Sequence, residues 1–307
     1  MVRYSPRSVR VEEAREHTAQ YQAFKAYADP RETDSQLIVG DALSVLRTFR
    51  TGTFRCCVTS PPYWGLRDYG IPGQIGAEES LATYIDRIVA VFTEVRRVLA
   101  DDGTLWLNLG DSYTSGNRAW RDADKKNPAR AMSYRPPTPD GLKPKDLVGV
   151  PWRAALALQA DGWYLRSEII WYKPNCQPES VKDRPTLAHE HVFLLSKSER
   201  YYYDNEAIKE PTNGGSQKRN RRTVWSINTE AFLGAHFATF PPALVEPCIV
   251  AGSEKGALVL DPFIGSGTTG EVALRLGRRF VGIELNEDYV AIALQRLGWR
   301  RRPNALW

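Results

Sequence analysis

The stretch ALVLDPFIGSGTTG, residues 257–270, decides the fold. A short apolar run ends at Asp261, and the glycines after it follow the order G-x-G-x-x-G: Gly265, Gly267 and Gly270. Glycines in this order allow a tight turn between a strand and a helix whose N-terminus binds nucleotides. A second apolar run, RRFVGIEL, ends at Glu284, seventeen residues beyond Gly267, where an acid can bind ribose hydroxyls. The stretch therefore predicts an α/β fold with an adenosine-containing cofactor.

Two features of this region argue against a dinucleotide as the cofactor. The carboxylate of Asp261 at the strand end suits a ligand with a positively charged amine and disfavours a pyrophosphate. Only 37 residues follow Gly270, whereas a dinucleotide-binding domain needs several more strands downstream. Strands from earlier in the chain must complete the sheet. We therefore expect a C-terminal cofactor half and an N-terminal reacting half.

Apolar strand patterns alternate with helix patterns along most of the chain, which predicts a mostly parallel sheet with helices on both faces. The polar N-terminal region contains a helical stretch, roughly residues 11–27. The segments HEHVFLLSKS and RYYYD are typical of a pair of strands. Because alternation along a strand puts His189 and His191 on one face without a third ligand, we expect a structural role for the His-Glu-His cluster.

These patterns divide the chain into a core with additions. Residues 1–35 form a polar and helical extension, residues 36–299 the main domain, and residues 300–307 a basic tail. Within the main domain, the reacting half spans 36–175 and the cofactor half 236–299. Two polar, basic insertions lie at about 112–146 and 176–235.

Composition places this chain among ordinary soluble proteins. It has 307 residues, 42% of them hydrophobic and 25% charged, and a net charge of +5, which permits a polyanionic partner without requiring one. The four cysteines form no CxxC pair, so we expect no metal site and no disulfide framework. The charged N-terminus and the absence of an 18-residue apolar run predict a cytoplasmic protein that does not cross a membrane.

The second decisive motif is TSPPY, residues 59–63, which follows a short apolar strand. Two prolines stop the strand and stiffen the loop, and they hold the Ser60 hydroxyl beside the Tyr63 ring. Taken alone, this is a common way to end a strand. Combined with the glycine-rich turn, it indicates a rigid reaction site.

TSPPYW followed by DPFIGSGTTG resembles the amino-group DNA methyltransferases that use S-adenosylmethionine, in their beta, circularly permuted class. The resemblance extends from about residue 37 to residue 297. It also includes the segments GDALSVL, LVGVPWRAALAL, WYLRSEIIWYKPN, RPTLAHEHVFLLSKS and HFATFPPALVEPCI. It implies a circularly permuted Rossmann-like methyltransferase sheet with small target-recognition insertions.

The resemblance assigns residues to the cofactor site. It implies that these bind S-adenosylmethionine: Asp41, Asp261, Phe263, Gly265, Ser266, Gly267, Thr268 and Glu284, with Phe237 and Thr239 beside the methionine tail. Asp41 has a second interpretation as the cap of the helix that follows it.

The resemblance also gives TSPPY a chemical role. The exocyclic amine of a nucleobase is a poor nucleophile because its lone pair is delocalised into the ring. Hydrogen bonds from the amine to the Ser60 hydroxyl and the Pro61 carbonyl can localise that lone pair, while Pro62 stiffens the loop and Tyr63 stacks on the base. The family implies that the base is flipped out of double-stranded DNA.

The target base depends mainly on Ser60. Serine at this position is more typical of enzymes that methylate N4 of cytosine, and Asp or Asn of those that methylate N6 of adenine, so we favour cytosine. Methylation at C5 requires a nucleophilic cysteine, and Cys56, Cys57 and Cys248 lie in core-like patterns. Two further hypotheses stay open: methylation of another planar amine or amide, and a non-catalytic DNA-binding protein with a vestigial cofactor pocket.

Positive charge is concentrated in the two insertions. We expect phosphate contacts from Arg118, Arg121, Lys125, Lys126, Lys218, Arg219, Arg221 and Arg222. The resemblance implies duplex DNA as the partner. It also allows a homodimer and a cognate restriction enzyme, for which the sequence itself offers no feature.

Overall fold

The structure is a computed structural model that describes residues 24–29, 32–114, 136–212, 217–230, 240–299 and 304–305. Its strands are β1 Lys25–Asp29, β2 Glu32–Val39, β3 Phe54–Thr59, β4 Leu99–Leu109, β5 Tyr164–Tyr172, β6 His189–Ser196, β7 Glu210–Pro211, β8 Lys218–Arg219, β9 Val224–Ser226, β10 Leu258–Asp261, β11 Arg279–Glu284 and β12 Asn304–Ala305. Its helices are α1 Ala42–Leu46, α2 Leu81–Val98, α3 Val150–Ala160, α4 Pro242–Gly252, α5 Thr268–Arg275 and α6 Glu287–Leu297.

Ten of these strands form one sheet in the order β12-β1-β2-β11-β10-β3-β4-β6-β5-β9. The five central strands, from β2 to β4 in that order, are parallel. Strand β6 runs antiparallel to both β4 and β5, and β9 runs parallel to β5. The C-terminal strands β10 and β11 lie between the N-terminal strands β2 and β3. The predicted mostly parallel, permuted α/β fold is confirmed.

The sheet has a hydrophobic core on each face. Helices α1, α2 and α3 contribute to one core, and helices α4, α5 and α6 contribute to the other. Helix α2 shows why: its buried residues recur every three or four positions, which places them on one face of a helix: Leu81, Tyr84, Ile88, Val91, Phe92, Val95 and Val98. Cys56, Cys57 and Cys248 are buried, as predicted. No helix within the described residues is both long and apolar enough to cross a membrane.

The N-terminal and C-terminal boundaries differ from the sequence prediction. The prediction of a helix at 11–27 is wrong at its C-terminal end, because residues 25–29 form strand β1, which pairs with β2. Residues 11–23 of that prediction lie outside the described part. Strand β2 already begins at Glu32, so the sheet starts before residue 36. Asn304 in the basic tail pairs with Ala26 of β1. Residues near both termini, in segments predicted to be polar extensions, therefore pair with the sheet as β1 and β12.

The predicted pairing of HEHVFLLSKS with RYYYD is also wrong. Strand β6 pairs with β4 and β5, and residues 201–204 have no regular secondary structure. Those tyrosines pack instead: the Tyr203 ring stacks on Trp106, with ring centroids 6.3 Å apart. The β5–β6 pairing places the start of β6 beside the end of β5, which becomes important for the candidate site.

Candidate active site

A cavity of about 720 Å³ opens at the carboxyl ends of the central parallel strands. Its volume lies within the usual range for small-ligand sites, and its position is where open α/β sheets bind ligands. The turns after β2, β3, β10 and β11 all contribute residues to its lining. The cofactor motif and the TSPPY motif, about 200 residues apart in sequence, therefore share one cavity.

The glycine-rich turn is tied to the acid at the end of β11. Gly265 has a φ of 51°, in the left-handed region that favours glycine. Its N–H donates to Glu284 Oε2 at 3.0 Å, and the N–H of Asn286 donates to Oε1 at 2.8 Å. Burial raises the pKa of Glu284 to about 7. The structure thus holds a carboxylate in the cavity that titrates near neutral pH.

Asp261 lies beneath the turn and does not line the cavity. Its Oδ1 accepts hydrogen bonds from Thr59 Oγ1 at 2.6 Å and from the N–H of Phe263 at 3.0 Å. Its Oδ2 accepts from Thr269 Oγ1 at 2.7 Å. Burial raises the pKa of Asp261 to about 6, although these hydrogen bonds oppose the rise. The expectation that this carboxylate faces a ligand amine is therefore wrong: it fixes the turn against β3.

The other predicted cofactor residues divide between cavity lining and support. Phe263, Ser266 and Thr268 line the cavity, and Arg296 Nη1 donates to Ser266 Oγ at 3.2 Å and to Thr268 Oγ1 at 2.9 Å. Gly267 does not line it; a Cβ there would lie 3.2 Å from Ala293 with φ at +89°, so only glycine fits well. Its role is close packing of α5 against α6.

Asp41 satisfies both interpretations made from the sequence. Its Oδ1 accepts from the N–H of Ser44 at 2.9 Å and from Ser44 Oγ at 2.8 Å, which caps helix α1. It also lines the cavity. Phe237 and Thr239 lie outside the described residues.

The TSPPY loop lines the cavity from Ser60 to Tyr63. Tyr84 donates to the Pro62 carbonyl at 3.0 Å, which fixes the loop against α2. Within the described residues, the Pro61 carbonyl accepts no hydrogen bond. This carbonyl is thus available to a ligand, as its predicted role requires.

Three residues with no functional role predicted from the sequence complete this part of the cavity; one of them, Glu190, belongs to the His-Glu-His cluster, for which a structural role was expected. They are Asn108 near the end of β4, Lys173 after β5 and Glu190 in β6. Glu190 Oε2 accepts from the Tyr63 hydroxyl at 2.7 Å and from Asn108 Nδ2 at 2.9 Å, and its Oε1 pairs with Lys173. Asn108 Nδ2 also lies 2.9 Å from the Tyr63 hydroxyl and 3.3 Å from Ser60 Oγ. The His-Glu-His segment thus contributes its central residue to the site.

The charges in this network are set by burial and by Lys173. Burial raises the pKa of Glu190, but the Lys173 ammonium and the hydrogen bonds from Lys173, Tyr63 and Asn108 outweigh it, so the pKa lies below its ordinary value. Burial and the Glu190 charge raise the pKa of the Tyr63 hydroxyl well above its ordinary value. At neutral pH the carboxylate is ionised and the phenol keeps its proton.

Three of the four predicted DNA-contacting residues on the second insertion have partners within the protein. Arg219 and Arg222 both donate to Glu210 Oε1, at 2.9 and 2.6 Å. The Arg221 guanidinium lies over the Trp225 ring, 4.6 Å from its centroid, and Lys218 is exposed. The predicted residues of the first insertion lie outside the described part: Arg118, Arg121, Lys125 and Lys126.

Comparison with known proteins agrees with this geometry. Residues 54–295 match the DNA methylase family. The chain belongs to this family. The Type II methyltransferase M.SmaI of Serratia marcescens is 63% identical over 267 residues, which cover 87% of this chain and 91% of that protein. M.Cfr9I of Citrobacter freundii, also a Type II methyltransferase, is 64% identical over 261 residues, covering 85% and 87%.

Solved structures share the fold of this DNA methylase. The cytosine-N4-specific PvuII DNA methyltransferase superposes with a TM-score of 0.67 at 22% identity, over 90% of each chain. A DNA modification methylase of Thermus thermophilus, solved with S-adenosyl-L-methionine, gives 0.55 at 24% identity, over 85% of this chain and 93% of that one. The predicted family and its cofactor, S-adenosylmethionine, are confirmed.

The cavity residues fit that cofactor. A buried carboxylate, Glu284, suits a ribose diol, and Gly265 beside it carries no side chain that would obstruct the sugar. Asp41, Phe263, Ser266 and Thr268 also line the cavity, as does the TSPPY loop from Ser60 to Tyr63.

Proposed function

We propose that this DNA methylase transfers a methyl group from S-adenosylmethionine to the N4 amine of a cytosine flipped out of duplex DNA. The observation that carries the proposal is the shared cavity, which Ser60 and Pro61 line together with residues of the cofactor turn. A paired base cannot reach such a cavity, so the target nucleotide must leave the helix.

The TSPPY loop activates the amine. Ser60 Oγ and the Pro61 carbonyl accept its two hydrogens and draw the lone pair out of the ring. The loop is preorganised, because two prolines restrict its backbone and Tyr84 holds the Pro62 carbonyl. Fixed acceptors need little rearrangement in the transition state, which lowers the barrier to methyl transfer.

Tyr63 provides the stacking surface for the base. Its hydroxyl is anchored by Glu190 and Asn108. Its ring packs on Gly110 so closely that a Cβ there would lie 2.6 Å from Cε2. A ring fixed at its hydroxyl and along the edge beside Gly110 can present a face to the cavity.

The cofactor residues hold the donor beside this loop. Glu284 would bind the ribose hydroxyls, and Asp41, Phe263, Gly265, Ser266 and Thr268 line the same cavity. The contacts expected of Phe237 and Thr239 lie outside the described residues. When bound, S-adenosylmethionine supplies an electrophilic methyl group. Asp261 and Gly267 support the turn from below.

The choice of cytosine over adenine rests on Ser60, whose residue type is typical of N4-cytosine enzymes. DNA from a host that expresses the protein should yield N4-methylcytosine on digestion to nucleosides. If the modified nucleoside is N6-methyladenine alone, the base assignment is wrong but the reaction class stands. Single-molecule sequencing of the same DNA reports the sequence context.

The partners follow from the same proposal. The segments at 112–146 and 176–235 contact DNA; residues 176–179 and 229–230 of the second already line the cavity. The relatives named above are Type II methyltransferases, which favours a cognate restriction enzyme that cuts the same site. A homodimer is a further expectation, which analytical ultracentrifugation tests. The protein acts in the cytoplasm, where this DNA lies.

A further inference from the structure

A chain of hydrogen bonds runs from the target-facing Ser60 to a buried ion pair. Ser60 Oγ lies 3.3 Å from the Tyr63 hydroxyl, which donates to Glu190 Oε2 at 2.7 Å. Glu190 Oε1 pairs with Lys173, and both side chains are more than four-fifths buried. Burying this ion pair is expensive, and it lies in the reaction cavity. Packing alone therefore does not explain why this ion pair lies here.

The direction of the hydrogen bonds in this chain follows from the charge on Glu190. An ionised carboxylate can only accept hydrogen bonds, so the Tyr63 hydroxyl must donate its proton to Glu190. The Tyr63 oxygen then has only lone pairs left, and it accepts from its neighbours Asn108 and Ser60. The Ser60 proton consequently points to Tyr63, and a lone pair of Oγ is left for the cavity.

This direction matters because a serine hydroxyl can donate or accept. If its proton pointed into the cavity, Ser60 would face the two hydrogens of the target amine with a third hydrogen. With the proton turned to Tyr63, Ser60 presents an acceptor, as amine activation requires. Asn108 Nδ2 favours the same arrangement: its two hydrogens go to the nearer acceptors, Glu190 Oε2 and the Tyr63 hydroxyl, both 2.9 Å away, and one Tyr63 lone pair is left for the Ser60 proton.

We propose that Glu190 is a positioning residue for methyl transfer: through Tyr63, its carboxylate turns the Ser60 hydroxyl into an acceptor for the target amine. Lys173 keeps that carboxylate ionised. This inference rests on the proposed function of Ser60. It adds two residues to the machinery of the site and explains why a buried carboxylate accepts a hydrogen bond from a residue of the TSPPY loop.

The first test reverses the chain without removing it. Glu190→Gln keeps the side-chain shape, but its amide can donate to Tyr63, so the Ser60 proton is no longer directed away from the cavity. We expect the single-turnover methylation rate to fall about 10- to 100-fold, while the affinity for S-adenosylmethionine, measured by calorimetry, stays unchanged. Tyr63→Phe breaks the same chain, so Glu190→Gln in that background should add little further loss.

Glu168→Gln is the matched control. Glu168 is a carboxylate on the neighbouring strand β5 that pairs with His191 and does not line the cavity. We expect wild-type rates from this variant. The proposal is wrong if Glu190→Gln methylates no more slowly than Glu168→Gln. It is also wrong if the rate reduction in the double variant Glu190→Gln/Tyr63→Phe equals the product of the two single reductions.

The second test uses pH. The titratable groups that contact Glu190 are Lys173 after β5 and Tyr63 after β3, whereas His189 and His191 on its own strand lie on the opposite face of the sheet. Removing the Lys173 ammonium leaves only the hydrogen bonds from Tyr63 and Asn108 to oppose burial, which raises the pKa of Glu190. In Lys173→Met, the rate should therefore decline at a higher pH on the acid side than in the wild type.

The paired variant separates this effect from a general loss of structure. Lys173→Met combined with Glu190→Gln has no carboxylate to titrate, so the shifted acid limb should disappear. An unshifted limb in Lys173→Met, or a limb that persists in the double variant, overturns the proposal. The proposed function fails separately, if the wild-type protein forms no methylated amine at all.

Discussion

Thr59→Val tests the hydrogen bonds that join the two motifs. Thr59 precedes Ser60 at the end of β3, is fully buried, and donates to Asp261 at 2.6 Å. The Asp261 carboxylate also accepts hydrogen bonds from the N–H of Phe263 and from the hydroxyl of Thr269. Valine has nearly the same shape as threonine but cannot donate. The substitution therefore removes one of three donors from a buried carboxylate.

The size of the effect should depend on pH because the pKa of Asp261 is about 6 in the folded protein and 3.8 ordinarily. The folded state thus holds this proton more tightly than the unfolded state, and the group's contribution to stability falls by about 3 kcal/mol as pH rises from below 4 to above 6. Above pH 6 the ionised form needs its donors most. A hydrogen bond to a charged group contributes about 1.5–3 kcal/mol and one between neutral groups about 1 kcal/mol.

We therefore expect Thr59→Val to lower the free energy of unfolding by about 2–3 kcal/mol at pH 8 and by about 1 kcal/mol at pH 5. Urea denaturation at the two pH values measures both numbers. Thr104→Val is the control, because Thr104 is equally buried on β4 and, among the described residues, its hydroxyl donates only to the weak acceptor Cys56 Sγ at 3.8 Å. Its loss should be the same at both pH values. Equal losses for Thr59→Val at pH 5 and pH 8 would refute the reasoning.

Three further predictions concern the cavity. The first uses 5′-methylthioadenosine, a probe that has the ribose but no amino-acid group. Its affinity, measured by calorimetry, should rise about tenfold from pH 6 to pH 8, because Glu284, with a pKa of about 7, ionises over this range. In Glu284→Gln the affinity should not change with pH. Gly110→Ala should displace the Tyr63 ring and slow methylation without weakening cofactor binding, which a filter-binding rate assay and calorimetry separate. Tyr84→Phe should free the Pro62 carbonyl and reduce the rate severalfold at unchanged DNA affinity, measured by fluorescence anisotropy.

The features that the sequence predicted well are those encoded locally. Strand, turn and helix follow one another in ALVLDPFIGSGTTG, and the positive φ values of Gly265 and Gly267 agree with the turn that their spacing indicates. Ser60 and Tyr63 line the cavity because a strand end fixes their position. Such features depend on neighbours a few residues away.

The features that the sequence did not predict depend on which strands become neighbours. Glu190 reaches the site because β6 lies between β4 and β5, an order that no local pattern in HEHVFLLSKS specifies. Residues 25–29, in a region of the sequence that is polar overall, form a strand because β2 offers them an edge and Ala26 and Tyr27 are buried in the core. Asp261 was placed correctly at a strand end, but the direction of its side chain depends on Thr59, 202 positions away.

The position of β10 and β11 between β2 and β3 has a consequence for synthesis of the protein. Strands β2 and β3 leave the ribosome about 200 residues before β10, which at 5–20 residues per second is about 10–40 s. During that time β3 lacks one of its two neighbours, and an unpaired strand edge invites wrong partners.

Strands β10 and β11 must then insert between β2 and β3, which the nascent chain has to keep apart until that time. The cavity is completed only at that step, because one side of it arrives with β10 and β11. The newly made protein therefore stays inactive until β10 and β11 have been translated. In a cell that holds a matching nuclease, this delay sets the earliest moment at which each new copy can begin to protect the chromosome.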